Sequence, residues 1–397
     1  DKFKLREVRN LLLCSEKPLI IAGAGLREGN SITGLLELSK NILCPIIPSW
    51  GMVDSFDSNN ELVLDTGGTH GNRYTNLALQ KADLLLILGS RLDSHFIGSP
   101  PANFAPNAKK ILVDIDKGEL SKFKSLGVNI DCPINADASY FLSQLKLEQI
   151  TSKKYKVTQS KRTDWLSFIE NAKYDLSDCK KRAKNKKYTN PYLFIEKLGA
   201  YCGRDAIICC DTGSILAWSM QAFKFSGNQR FIHAFNNTPM GYSIPATIAS
   251  LISTPDKQTI SLVGDGSFMM NIQELAVITK YKLPGKIFVI SNLGYSMVRQ
   301  TQEQWFNSFY FGSGSDDLWF PDFSKTANAF GFKYECISRN DKIEKTLQQV
   351  FSNEDAYIIE VKVDAEHRVI PLLKYGASLP DMEPKISKSL ERKYSIK

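Results

Sequence analysis

Runs of Ile, Leu and Val recur along the chain with few polar interruptions. In the first half, "KPLIIAGAG" at 17–25, "ILCPIIPSWG" at 42–51, "ADLLLILGSRLD" at 82–93 and "AKKILVDID" at 108–116 read as strands. Strands without polar alternation suit a sheet covered on both faces, so the pattern predicts a parallel sheet with helices between several of its strands. The second half repeats this style. Strands are predicted at "DAIICCDTG", "QTISLVGDG", "KIFVISN" and "AYIIEVKV", and helices at 214–223, 240–253, 268–282, 322–331 and 341–352. Between the halves, from Leu147 to Lys187, Lys, Ser and Asp dominate, with one bridging helix expected from Trp165 to Tyr174. The predicted class is α/β with two doubly wound parallel-sheet domains. Their expected extents are 1–150 and 188–370, joined by a linker over 151–187 and followed by a tail over 371–397.

Composition agrees with two cores: 397 residues are long for one, and 43% hydrophobic with 23% charged residues describes an ordinary globular protein. No apolar run approaches the ~20 residues that cross a bilayer, and "DKFKLREVRN" does not resemble a secretory signal, so a cytoplasmic protein without membrane partners is expected. The eight cysteines form no C-x-x-C pair, and with four histidines a zinc framework is not indicated. The net charge of +8 and "KKRAKNKK" at 180–187 raise nucleic-acid binding. A solvated linker accounts for the run more simply, because the interleaved aromatics of an RNA-binding sheet are missing. The first residue is Asp rather than Met, which fits a processed or trimmed piece of something longer.

Chemistry is sought where strands end, because doubly wound folds bind ligands beyond the carboxyl ends of their strands. "CDTGS" brings Gly213 and Ser214 to one strand end, "GDGS" brings Gly264, Asp265, Gly266 and Ser267 to another, and "SNLGYS" brings Asn292 and Gly294 to a third. Glycines before a helix receive anions, and a carboxylate among them would repel a phosphate. A divalent cation between the two removes the conflict. Asp265 and Asn292 are hard oxygen donors of the type Mg²⁺ takes, and a carbonyl near Gly294 adds a third protein ligand. Taken singly, each of these residues is more ordinary as a turn former or cap. Together, 27 positions apart at adjacent strand ends, they point to a metal–diphosphate site.

"GDGSFMMNIQELAVITKYKLPGKIFVISN" resembles the metal–diphosphate motif of thiamine-diphosphate enzymes, with Ser291 in place of the first of two closing asparagines and Asn292 as the second. "NNTPMGYSIPATIAS" resembles the family segment that bends the cofactor. By this resemblance Met240 is the apolar wedge beneath it, and the Thr238 carbonyl accepts from its 4′-amino group. An isolated Met is more often core. "GGTHGNRYTNLALQKADLLLILGSRLDSHFIG" and "AKKILVDIDKGELSK" resemble the central domain of the acetohydroxyacid synthase and pyruvate oxidase group. Some members of that group bind FAD there, near the positions of His70, Gly71, Arg91 and Asp114, and a vestigial site is an equal alternative. "GAGLREG" matches the dinucleotide fingerprint poorly, its last glycine coming one residue late. "NLGYSMVRQTQEQWF", "FPDFSKTANAFG" and "GASLPDMEP" resemble acetolactate-synthase-like proteins of surface-polysaccharide pathways. The branched-chain amino-acid synthases carry a tryptophan at the position of Thr301.

The resemblance implies a thiamine-diphosphate- and Mg²⁺-dependent carboligase or decarboxylase of 2-oxo acids, a transferase or lyase. It also implies a homo- or hetero-oligomer. The family's N-terminal pyrimidine-binding domain, which carries the glutamate acting on N1′, has no counterpart in these 397 residues. The expectation is that another chain or a lost N-terminal segment supplies it. The rivals are an FAD- or NAD-linked oxidoreductase and a non-catalytic cofactor-binding subunit.

Overall fold

The structure, a computed structural model, describes residues 2–27, 31–145, 153–177 and 187–396. Gly29 of "GAGLREG", Cys179 and most of the lysine-rich run at 180–187 lie outside the described residues. The chain forms two compact units, Asp1–Asp178 with Ile370–Lys397, and Cys179–Val369. No helix among the described residues is long and apolar enough to cross a membrane.

In the first unit, β1 (Pro18–Ala22), β2 (Ile46–Pro48), β3 (Leu84–Leu88), β4 (Lys109–Asp114) and β5 (Cys132–Asn135) form a parallel sheet in the order β2-β1-β3-β4-β5. Every residue of β1 and β3 is buried. Leu19, Ile21, Leu85 and Ile87 face one core with Trp165 and Ile169, while Ile20, Ala22, Leu84, Leu86 and Leu88 face another with Val8, Leu12 and Leu35. Both faces are therefore covered, which is why these strands read as unbroken apolar runs. The short edge strand β5, "CPIN", alternates buried and exposed residues around a proline and carries no such signal.

The helix Lys153–Asp175 falls within the stretch read as linker, yet Trp165, Ile169 and Ala172 pack into the core of the first unit. Its Arg162 is 1% exposed and donates to the carbonyls of Leu12 and Ser15, at the end of the helix Lys2–Cys14, and of Ile42, the last residue of the helix Ser31–Ile42. One guanidinium thus satisfies the orphan carbonyls, and opposes the dipoles, of two helix C-termini. Arg162→Met is expected to cost about 2 kcal/mol of stability, because the carbonyls stay buried while their donor is lost. Urea denaturation measures this, and a loss below about 0.5 kcal/mol, typical of surface substitutions, would show that water replaces the guanidinium.

In the second unit, β6 (Ile207–Cys210), β7 (Arg230–Ile232), β8 (Thr259–Gly264), β9 (Lys286–Ser291), β10 (Lys333–Ile337) and β11 (Tyr357–Lys362) form a second all-parallel sheet, in the order β10-β11-β9-β8-β6-β7. The expected α/β class with two doubly wound parallel sheets is the observed one. The helices Ser214–Ala222, Phe323–Ala329 and Ile343–Phe351 lie within predicted spans. The helix predicted at 240–253 starts only at Ser243, because Thr238 and Gly241 take left-handed backbone conformations (φ 43° and 86°). That predicted at 268–282 starts early, at Asp265, and breaks into Asp265–Met270 and Leu275–Lys280. Asn271, at the break, donates its side-chain amide to Gly241 O (2.6 Å) instead of continuing the helix.

The tail beyond Ile370 belongs to the first unit. Its short β12 (Leu372–Leu373) and β13 (Met382–Glu383) pair antiparallel, and Leu373, Leu379, Met382, Tyr394 and Ile396 join that unit's core. Buried Arg73 secures it by donating to the carbonyls of Met382 and Pro384, both at 2.8 Å.

Candidate functional site

The second sheet changes direction at β6, whose neighbours are β7 on one flank and β8 on the other. Such a switch point opens a crevice beyond the strand ends. Cys210 is level with Leu262 and Gly264 with Ile290, so the segments following β6, β8 and β9 leave the sheet side by side. A cavity of about 220 Å³ lies there. Gly213, Ser214, Met240, Gly264, Asp265, Gly266, Ser267, Asn292 and Gly294 all line it, so the structure brings together every expected site residue except Thr238. Thr238 is exposed on the turn before Met240, its N–H bonded to Ala234 O (2.8 Å).

Asp265 opens the helix after β8 and is 2% exposed. Its Oδ1 accepts from Gly266 N (2.8 Å), and its Oδ2 from Asn292 N (3.0 Å), Leu293 N (2.7 Å) and Gly294 N (3.4 Å). The carboxylate therefore shapes the loop that follows β9. Burial pushes its pKa up to about 6, against the pull of these N–H groups. The loop it holds is strained: Leu293 has φ 58°, and a Cβ at Gly294 would stand 2.4 Å from Ser313 O. Backbone strain of this kind concentrates at functional sites.

Among the described residues that line the cavity, two buried polar atoms, the Ser214 hydroxyl and the Trp218 indole N–H, lack a hydrogen-bond partner. The Ser214 hydroxyl is buried at the start of its helix without a hydrogen bond. The Asn292 side-chain amide makes no hydrogen bond to the described residues either, but it is open to the cavity rather than sealed from water. Because buried polar groups are nearly always bonded, the Ser214 hydroxyl is set for a ligand or water, and the Asn292 amide is free to meet one in the cavity. Around them are glycines with room to spare: a Cβ at Gly213 or Gly264 would have no neighbour within 4 Å. At Gly266 the constraint is contact, since a Cβ would stand 2.0 Å from the Tyr295 ring. Among the described residues no three His, Cys, Asp or Glu side chains gather to hold a metal. A cation here would rely on Asp265, a neutral amide, backbone carbonyls and the ligand's own oxygens.

Sequence reasoning missed Asp211. It is fully buried and follows β6; its Oδ1 accepts from Thr212 N (3.0 Å) and Gly241 N (3.1 Å) and its Oδ2 from Ser243 N (2.9 Å). It thereby ties the turn carrying Met240 to the strand end carrying Gly213. The only signal was an acidic residue at the end of an apolar strand, where it had no apparent use. Met240 itself is 38% exposed, so it lines the cavity without being core.

In the first unit, buried His70 lies within ring-stacking range of Trp50 and His95, with centroids 6.2 and 6.0 Å away. Burial and His95 push its pKa down to about 4. A Cβ at Gly71 would stand 2.2 Å from Gly67 C, so the backbone there is closely folded. Arg91 follows β3 and is exposed, and Asp114 ends β4 with its Oδ1 accepting from Asp116 N (2.9 Å).

Residues 211–361 match the thiamine pyrophosphate enzyme C-terminal TPP-binding domain, and residues 5–145 match the thiamine pyrophosphate enzyme central domain. Among curated proteins, the chain is 27% identical over 384 residues to the acetolactate synthase isozyme 2 large subunit of Escherichia coli (strain K12), covering 97% of this chain and 66% of that protein. It is 30% identical over 383 residues to the acetolactate synthase large subunit of Lactococcus lactis subsp. lactis (strain IL1403), covering 96% and 63%. With acetolactate synthase 1, chloroplastic, of Nicotiana tabacum it shares 27% identity over 400 residues, covering 96% and 56%. The chain thus spans less than two thirds of the length of these relatives.

Proposed function

Since the chain belongs to the thiamine pyrophosphate enzymes and is acetolactate synthase-like, we propose that it acts with thiamine pyrophosphate and Mg²⁺ as a carboligase or decarboxylase of 2-oxo acids. One observation carries this reading. A single cavity joins the buried Asp265 carboxylate, the partnerless Asn292 amide and the orphan Ser214 hydroxyl among glycines with open Cβ space. Asp265, Asn292 and a carbonyl at Gly294 would hold the cation, which offsets the charge of a diphosphate beside a carboxylate. Gly213, Ser214, Gly264, Gly266 and Ser267 would receive the diphosphate through close backbone and hydroxyl contacts. Met240 would support the bent cofactor, and the Thr238 carbonyl would accept from its amino group. When bound, the cofactor would supply a nucleophilic carbon and an electron sink for decarboxylation, while the chain would orient it and limit the access of water.

The site is proposed to be shared with a surface beyond these 397 residues. At about 220 Å³ the cavity is smaller than the ~300–1,000 Å³ of typical ligand pockets, so it suits one end of the cofactor. Around it Met240, Leu293 and Val298 leave apolar surface open to water, as an unfilled interface would. Thr301 is exposed, its hydroxyl turned back to Met297 O (3.0 Å). With no indole there to shape an acceptor pocket, the reading favours an acceptor other than that of the branched-chain synthases, as in a surface-polysaccharide pathway.

Thermal shift with thiamine pyrophosphate plus Mg²⁺, with FAD and with NAD, each alone, tests the cofactor. A ligand at 100 times its Kd adds about 2.7 kcal/mol, a shift of several degrees. Only the first mixture is required by this reading. A response to FAD or NAD without one to thiamine pyrophosphate would favour an oxidoreductase.

Met240→Ala tests the wedge. Diphosphate anchoring should persist, while kcat of the completed enzyme should fall about 10-fold, since misplacement of reacting groups by ~1 Å costs up to ~10²-fold. Unchanged kcat at saturating cofactor would make Met240 a bystander.

A further inference from the structure

The helix Ser296–Trp305 follows the Asn292–Tyr295 loop, and its first residues, Ser296, Met297 and Val298, form a wall of the cofactor cavity. Apolar packing does not hold this helix down: its buried residues are Ser296 and Gln300, both polar, while Val298 and Trp305 are 44% and 56% exposed. It is fastened instead to the segment 365–369, the last of the second unit. The Ser296 hydroxyl donates to His367 O (3.1 Å). The Gln300 amide donates through Nε2 to Val369 O (2.9 Å) and accepts at Oε1 from Val369 N (3.1 Å). Outside this pair, Arg368 donates to Glu303 (2.6–3.0 Å) and Arg299 to Glu366 (3.0 Å).

The Gln300 pairing is the sheltered part. Gln300 is 6% and Val369 0% exposed, so one amide satisfies both backbone groups of a fully buried residue, as a neighbouring strand would. Of the ion pairs around it, Arg299–Glu366 is largely exposed on its acidic side and contributes little, while the bidentate, mostly buried Arg368–Glu303 pair adds to the fastening.

We propose that Gln300 is a positioning residue whose amide latches the cavity wall, so that latch closure and cofactor binding stabilise each other. This rests on the thiamine pyrophosphate reading of the cavity. A cofactor touching residues 296–298 binds the latched state better than the open one. By linkage, it must then strengthen the latch to the same degree that the latch strengthens its binding.

The test compares wild type with Gln300→Leu, which keeps apolar volume but loses donor and acceptor, and Gln300→Glu, which keeps an acceptor for Val369 N and loses the donor. Affinity for thiamine pyrophosphate with Mg²⁺ and amide hydrogen exchange are measured on the full chain. In wild type, the cofactor with Mg²⁺ should slow exchange at Val369 and across 296–305. Gln300→Leu should bind at least ~10-fold more weakly, with Gln300→Glu in between. Their faster exchange should be confined to 292–305 and 365–369, while β8 and β9 exchange as in wild type. A general loss of packing would instead speed β8 and β9 as well, and that result overturns a positioning role. So does wild-type affinity in Gln300→Leu, or wild-type Val369 exchange indifferent to bound cofactor. A wild type that binds no thiamine pyrophosphate overturns the cofactor reading itself, and the coupling with it; binding by wild type and Gln300→Leu alike overturns the latch alone.

Discussion

Asp265→Ala is expected to raise the Kd for thiamine pyrophosphate in Mg²⁺ by more than ~10²-fold. Removing even a group that merely supports a metal ligand typically costs 10–100-fold in metal affinity, and here the group lost would touch the metal. Among the described residues no other carboxylate lines the cavity, so no neighbouring charge takes its place. The residue also has a second task that strand-end reasoning did not foresee. Four backbone N–H groups converge on its carboxylate, so the alanine variant loses the acceptor that holds the loop 292–294. A modest loss of apo stability should accompany the loss of binding. Asn292→Ala, which removes a neutral donor with no other partner, should weaken binding less and leave apo stability nearly unchanged. Calorimetric titration at fixed Mg²⁺ measures both, and normal binding by Asp265→Ala would end the site assignment.

The same carboxylate sets a pH dependence with a definite sign. Burial raises its pKa from 3.8 to about 6, so between those values the folded apo protein holds a proton that the unfolded chain releases. Apo stability should therefore fall as pH rises from about 4 to 6, by about 3 kcal/mol at 1.36 kcal/mol per unit, and stay level above. Cation binding needs the ionised form and should weaken below pH 6. Urea midpoints across this range should show the decline in wild type and not in Asp265→Ala.

The 397-residue polypeptide assayed alone is expected to show no measurable turnover of pyruvate or other 2-oxo acids, while still binding thiamine pyrophosphate weakly with Mg²⁺. Among the described residues, Asp265 is the one carboxylate at the cavity and Tyr295 its one phenol; the Asp265 oxygens accept from the loop amides. No second carboxylate and no histidine among the described residues lines the cavity to exchange a proton with the aminopyrimidine. Proton transfer by a positioned group is typically worth ~10²–10⁴-fold, and its loss alone would bury the signal. Adding a polypeptide that carries a pyrimidine-binding domain should restore turnover and tighten binding together. Robust turnover without such a partner would refute the shared site and require a base from within the 397 residues.

The main features of the fold were legible in the apolar runs. Strands covered on both faces are rich in Ile, Leu and Val with little polar alternation, and β1, β3, β4, β6, β8, β9 and β11 announce themselves that way. Three of the four edge strands of the parallel sheets, β5, β7 and β10, do not, because one flank or face meets water and their residues are mixed; the edge strand β2, buried throughout, still reads as apolar. β10, "KYECI", is fully buried only at Ile337. The Gly-Asp-Gly and the Asn after the next strand were legible for a related reason: strand ends in a parallel sheet meet whatever the loops do, so two local signals sufficed to place Asp265 and Asn292 together.

By itself, then, the sequence determined the α/β class, the repeated parallel sheets and the residues gathered at the ends of β6, β8 and β9, since each follows from local periodicity or a short strand-to-helix motif. Only the tertiary structure decided that the tail belongs to the first unit, that Arg162 caps two helices, that Asp211 ties down the Met240 turn and that Gln300 latches the cavity wall. Arg73 reaches Met382 across 309 positions, Arg162 reaches Leu12 across 150, and Gln300 reaches Val369 across 69. Each of these is a polar side chain satisfying backbone groups far away in sequence. Such pairing is enforced by the cost of burying an unpaired N–H or carbonyl, and that cost acts only once the folded chain has excluded water from both partners.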